Sequence, residues 1–123
     1  MGPNSQRLSA FFDACTSKCP DGYYANTREA NHYECDGPRL HCVRNNSDSF
    51  FDVCDLKCPD GYHANKREAD HYECDGPRLH CVRNNSHSFF YVCGSECPDG
   101  YDAKKREADH YECDGPRLHC MRN

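Results

Sequence analysis

The stretch "HYECDGPRLHC" at residues 32–42 recurs without a change at 71–81 and again at 110–120. The chain around it repeats too. Cysteines fall at 15, 19, 35 and 42, then at 54, 58, 74 and 81, then at 93, 97, 113 and 120, each set displaced by 39 residues from the last. Such regularity marks a tandem array. It predicts a tail over 1–8 and repeats over 9–46, 47–85 and 86–123.

Twelve cysteines in 123 residues is the composition of a disulfide scaffold. No C-x-x-C occurs, which argues against zinc ribbons and thiol redox motifs. The spacing also differs from the six-cysteine patterns of epidermal-growth-factor-like and trypsin-inhibitor-like modules. With no Trp, 37% hydrophobic residues and a mean hydropathy of −1.03, little apolar material is present for a core. Covalent bridges commonly fill that gap in small units. The expected fold is therefore small, disulfide-rich and mainly β. Each of the three repeats carries a β-hairpin and two internal bridges, and the repeats pack as a compact or pseudo-threefold array. Such cysteine use belongs to an oxidising compartment, so a secreted, extracellular protein is expected. The net charge of −5 is modest and the basic residues are dispersed, which predicts neither nucleic-acid binding nor attraction to an anionic membrane. No apolar run approaches the ~18 residues of a spanning helix, so membrane insertion is not expected.

Within a repeat, the Phe pair before the first cysteine reads as a short strand, one ring entering its own unit and the other packing on a neighbour. "CPDG" reads as a tight turn, with Pro fixing φ and Gly free to take positive φ. "ANKREAD" is compatible with one helical turn or an irregular crossing. "HYEC" and "LHCVR" alternate about "DGPR" as a hairpin would. With Asp36 to Arg39 as its loop, Tyr33, Cys35, Leu40 and Cys42 share the inner face, and His32, Glu34, Arg39 and His41 the outer one. Cys35 and Cys42 are then diagonal and too far apart to bond. Cys15–Cys35 with Cys19–Cys42 and Cys15–Cys42 with Cys19–Cys35 both remain open, as do the equivalent pairings among Cys54, Cys58, Cys74 and Cys81 and among Cys93, Cys97, Cys113 and Cys120.

The outer face supplies the candidate site: His32, Glu34, Asp36, Arg39 and His41, repeated as His71, Glu73, Asp75, Arg78 and His80, and as His110, Glu112, Asp114, Arg117 and His119. These groups read sugar hydroxyls when held rigidly, and Arg with His would suit an acidic sugar through charge-assisted bonds. Tyr23, Tyr62 and Tyr101 are candidate apolar platforms. Triplication gives weak sites avidity. The expected function is multivalent, lectin-like carbohydrate binding with agglutinating capacity, one equivalent site per repeat, and glycans or glycoproteins as partners.

Two alternatives are a tandem protease inhibitor presenting Arg39, and a structural or adhesive matrix protein. An enzyme is not expected, because the serines lie in variable linkers and no cysteine is left over as a nucleophile. No cofactor is expected. His32, Glu34 and His41 are ligand types for Zn²⁺ or Cu²⁺, but no metal site is assigned. Asn45 and Asn84 stand in Asn-Asn-Ser, the N-glycosylation acceptor pattern.

Overall fold

A computed structural model describes residues 10–46 and 48–123. The expected tail over 1–8, and residues 9 and 47 at which the first two repeats are expected to begin, lie outside the described residues. The described chain is mainly β, in three similar three-stranded antiparallel sheets. The first contains β1 (Phe11–Ala14), β2 (Tyr23–His32) and β3 (Gly37–Arg44). The second contains β4 (Phe50–Val53), β5 (Tyr62–His71) and β6 (Gly76–Arg83). A 3₁₀ turn over Asn84–Ser86 leads to β7 (Phe89–Cys93), β8 (Tyr101–His110) and β9 (Gly115–Arg122). In each sheet the last strand lies in the middle.

The register differs from the sequence reading. "TREANH" continues β2, with Thr27 opposite His41, Arg28 opposite Leu40 and Glu29 opposite Arg39, and the ladder closes at His32 opposite Gly37. "HYEC" is therefore mostly the turn, and "GPR" opens β3. Helix propensity is a weak prior that strand pairing overrides here. Two irregularities accommodate the residues that suggested otherwise. Asn26 is an extra residue between Ala25 and Thr27, and Ala30 and Asn31 together oppose Pro38. Pro has no N–H for a ladder, so its place in a central strand is beside a bulge.

The turn takes its shape from Asp36, which sits in the left-handed region at φ 52°, as Asp75 and Asp114 do at 48°. Short polar side chains tolerate this conformation better than most. The "CPDG" turns behave as expected: Gly22, Gly61 and Gly100 have φ of 88°, 90° and 90°.

All twelve cysteines are paired, first with third and second with fourth: Cys15–Cys35 and Cys19–Cys42, Cys54–Cys74 and Cys58–Cys81, Cys93–Cys113 and Cys97–Cys120. Each closes a loop of about 20 residues, worth ~3 kcal/mol in the chain-entropy picture. Cys35 and Cys42 do not bond, as expected, although the register behind that expectation is replaced by the one above.

The sheets follow one another in a row, β2 against β4 and β5 against β7. Each junction buries the first disulfide of the later sheet. Ala25, Leu40 and Cys42 of the first sheet form one cluster with Cys54 and Cys74 of the second. Phe51 touches Tyr62 of its own sheet at 4.9 Å and stacks on Tyr24 of the preceding one at 4.2 Å. His63 stacks on Phe90 in the same way at 3.8 Å. The inward Phe thus serves both its own unit and its neighbour, while Phe11, Phe50 and Phe89 are exposed. That corrects the expected division of labour between the two rings.

Polar bonds reinforce the junctions. Arg28 N–H donates to Glu73 O at 2.9 Å, its guanidinium reaches Cys74 O and Asp75 O at 3.3 and 3.1 Å, and Ala30 N–H donates to Asp75 Oδ2 at 2.9 Å. Arg67 and Ala69 repeat all four contacts on Glu112, Cys113 and Asp114. Among the described residues no such bonds join the third sheet to the first, so the row is open and not closed about a threefold axis.

Candidate functional site

The middle strand of each sheet points Leu40 and Cys42, or their equivalents, inward. The alternate residues Arg39 and His41 face out. β1 places Asp13 opposite His41, and β2 places Glu29 opposite Arg39. The outer face is thus assembled from three strands rather than from one hairpin.

In the first sheet, Arg39 Nη2 lies 2.6 Å from Asp13 Oδ2 and Nη1 lies 3.3 Å from Glu34 Oε1. His41 Nδ1 donates to Asp13 Oδ1 at 2.8 Å. The hydrogen bonds from His41 and Arg39 hold the Asp13 carboxyl below its ordinary range, and Asp13 raises Arg39 in return. In the second sheet, His80 bonds Asp52 at 2.8 Å, and Arg78 faces Glu73, Asp52 and Glu68 at 2.9, 3.6 and 3.7 Å. Asp52, Lys66, Glu68, Arg78 and His80 line an open polar depression of about 270 Å³.

Asp13 and Asp52 are absent from the sequence-based site. They lie in "FFDAC" and "FFDVC", outside the invariant block, where a carboxylate on a strand next to the hairpin was the available signal. The third sheet has Tyr91 at this position. There Arg117 stacks over the Tyr91 ring at 4.0 Å and pairs with Glu107 at 2.8 Å, which lowers the Glu107 carboxyl. His119 stacks on Tyr91 at 4.9 Å, and its Nε2 is buried without a hydrogen-bond partner. Three identical eleven-residue blocks therefore sit in two kinds of surroundings.

The other expected residues are distributed as follows. His32 is buried at 8% exposure instead of solvent-facing. Its Nδ1 accepts from Glu34 N–H at 3.1 Å, and His71 and His110 accept from Glu73 and Glu112 in the same way. The His32 Nε2 lies 2.8 Å from Arg39 Nη1. Asp75 and Asp114 belong to the junctions between sheets, and Asp36 occupies the equivalent turn at the open end.

Tyr23, Tyr62 and Tyr101 pack edge-on or tilted against Phe12, Phe51 and Phe90 in the cores and are not platforms. The exposed rings are instead Tyr33, Tyr72 and Tyr111, at 85%, 85% and 84%, stacked on His32, His71 and His110. The hairpin register had put Tyr33 on the inner face. In the turn it is free of the strand alternation.

Arg39 Nη1 occupies the space between His32 and Glu34, a poor place for a cation, and His41 is bound to Asp13. Among the described residues no group of three His, Cys, Asp or Glu is arranged to hold a metal. Asn84 Oδ1 bonds His63 at 2.9 Å, and Ser47 of the Asn45 triplet lies outside the described residues.

A larger groove, about 950 Å³, runs between the first two sheets beside Lys18, Pro20, Leu56 and Pro59. Its Arg28 is committed to the Cys74 and Asp75 carbonyls. The convergent Asp, Arg and His groups lie on the outer faces, so those faces are the better candidate. Pairing of all the cysteines in disulfides fits an oxidising, extracellular-type environment, and among the described residues no helix is long and apolar enough to cross a membrane. No protein-family model, curated protein or solved structure matches this chain.

Proposed function

We propose that the chain is a secreted, multivalent glycan-binding protein whose sites are the outer faces of the first and second sheets. The observation that carries this reading is the Asp–His–Arg cluster at Asp13, His41 and Arg39, repeated at Asp52, His80 and Arg78 over a depression of about 270 Å³. That volume is just below the ~300–1,000 Å³ of small-molecule sites, a size that suits one sugar ring. In the first unit Phe11 is exposed on the edge strand and Tyr33 in the turn, and in the second unit Phe50 and Tyr72 take the same places. They offer the apolar surface a sugar ring stacks on.

Each Arg already faces at least two carboxylates, so the site as a whole is anionic. Neutral sugars, which donate hydroxyl protons to carboxylates, are therefore favoured over acidic ones. With Tyr91 in place of the Asp, the third sheet is a weaker or different site. Two strong sites per chain suffice for cross-linking and agglutination.

Catalysis is not part of this reading, since the cluster holds no nucleophile and no enclosed cleft. The inhibitor alternative has less support, because Arg39 lies in a strand paired on both sides and not in a projecting loop. The test is binding of the oxidised protein to an array of neutral and acidic glycans, beside the Arg39→Ala, Arg78→Ala, Arg117→Ala triple variant. Selective binding to neutral glycans that is lost in the triple variant is expected. Binding that survives the triple change in a folded protein would remove the site from these faces.

A further inference from the structure

Each junction within the chain joins a donor edge to an acceptor turn, and among the described residues one donor edge and one acceptor turn are left without such a partner at the two ends of the row. At the donor end, Arg106 and Ala108 of β8 stand where Arg28 and Ala30, and Arg67 and Ala69, make their four bonds. Both are exposed, whereas Arg28 and Arg67 are half-buried. At the acceptor end, Asp36 holds the same left-handed turn as Asp75 and Asp114. Among the described residues no preceding sheet covers this surface, and Cys35 is half-buried where Cys74 and Cys113 are buried at 1% exposure.

We propose that one chain docks head to tail on a second copy, the β8 edge of its third sheet seating on the Cys35–Asp36 turn of the other chain's first sheet. Arg106 then takes the part of Arg28 and Arg67, reaching the Cys35 and Asp36 carbonyls, and Ala108 N–H donates to the Asp36 carboxylate. The contact is heterologous, so it propagates as an open filament unless the rotation between chains closes a ring.

Two differences at the ends set its character. The aromatic stack is missing, because Asp102 occupies the position of Tyr24 and His63. With its amide turned so that Nδ2 faces the carboxylate, Asn123 donates to Asp102 at 2.7 and 2.9 Å. The donor segment also carries Lys104 and Lys105, where the first repeat has Asn26 and Thr27, and it approaches a turn bearing Glu34 and Asp36. Charged ends deter indiscriminate edge pairing and leave an association that is electrostatic, reversible and sensitive to salt. The sheet-to-sheet junctions within one chain are permanent by comparison.

Sedimentation velocity of the full chain, across protein concentration and at low and high salt, tests this. The weight-average mass should rise with concentration at low salt and fall back at high salt. Asp36→Gly and Arg106→Ala should each associate at least about fivefold more weakly alone. An equimolar mixture of the two should form mainly a dimer, because each variant retains one competent end. Asp102→Tyr, which supplies the missing ring, should associate more strongly and resist salt. A wild-type chain that stays monomeric at every concentration, association indifferent to both end variants, or association that appears only when residues 1–9 are removed would each overturn the proposal.

Discussion

Replacing Asp75 with glycine is expected to cost about 1 kcal/mol more than the same change at Asp36. Both aspartates sit in the left-handed region, at φ 48° and 52°, within the same turn. Conformational effects of the substitution are therefore shared. Only Asp75 accepts from a neighbouring sheet, through Ala30 N–H at 2.9 Å. At an exposed site, where water screens the carboxylate, an amide–carboxylate bond is worth the ~0.5–1.5 kcal/mol net of an ordinary hydrogen bond. Alanine at either position adds ~1–2 kcal/mol for a Cβ in the left-handed region, so the gap between sites should persist while both totals rise.

Amide hydrogen exchange at low protein concentration and high salt, where chains are apart, reads the junction directly. Asp75→Gly should speed exchange at Ala30 about fivefold, the equivalent of ~1 kcal/mol. Asp36→Gly should leave Ala30 unchanged. Equal costs at the two positions, or an Ala30 amide indifferent to Asp75, would refute the account of the junction.

Burial against Phe90 holds His63 below the ordinary imidazole value, so the unfolded chain binds that proton more readily. The stability from this site is complete above pH ~6.5 and is lost as pH falls from there through the lower folded value. Denaturant midpoints between neutral and mildly acid pH should show this slope, and His63→Tyr, which copies the first junction, should flatten it. Leu79→Ala, at a core position 3% exposed, should cost ~2–5 kcal/mol by denaturant unfolding with disulfides intact. Leu56→Ala, at an exposed turn, should stay within about 0.5 kcal/mol. Tyr91→Asp should give the third sheet the carboxylate beside His119 and Arg117 that the other two have, raising the binding stoichiometry in calorimetry by one strong site per chain.

The cysteine spacing carried the triplication and the β class plainly, because Cys, Gly and Pro constrain the backbone in few ways. It left the register undetermined. Pro38 usually signals a turn, and only the bulge at Ala30 and Asn31 explains its presence in a strand. Tyr33 was misplaced with it, because it lies in the turn, where the alternation of a strand does not apply. The site was legible in part. Arg39 and Glu34 do meet, but His41 joins them only through Asp13, which comes from a separate strand, and nothing local in "FFDAC" shows that it pairs with the hairpin. The junction roles of Arg28 and Asp75, 47 residues apart, depend on how one repeat meets the next, which no single repeat encodes.

The most direct test of glycan recognition is a titration of the isotope-labelled protein with a neutral glycan selected on the array, followed by amide and histidine side-chain resonances. Shifts concentrated at Asp13, Arg39 and His41 and at Asp52, Arg78 and His80, with weaker ones around Tyr91, are the predicted result. Shifts confined to the groove beside Lys18, Pro20 and Leu56, or equal on all three sheets, would contradict it.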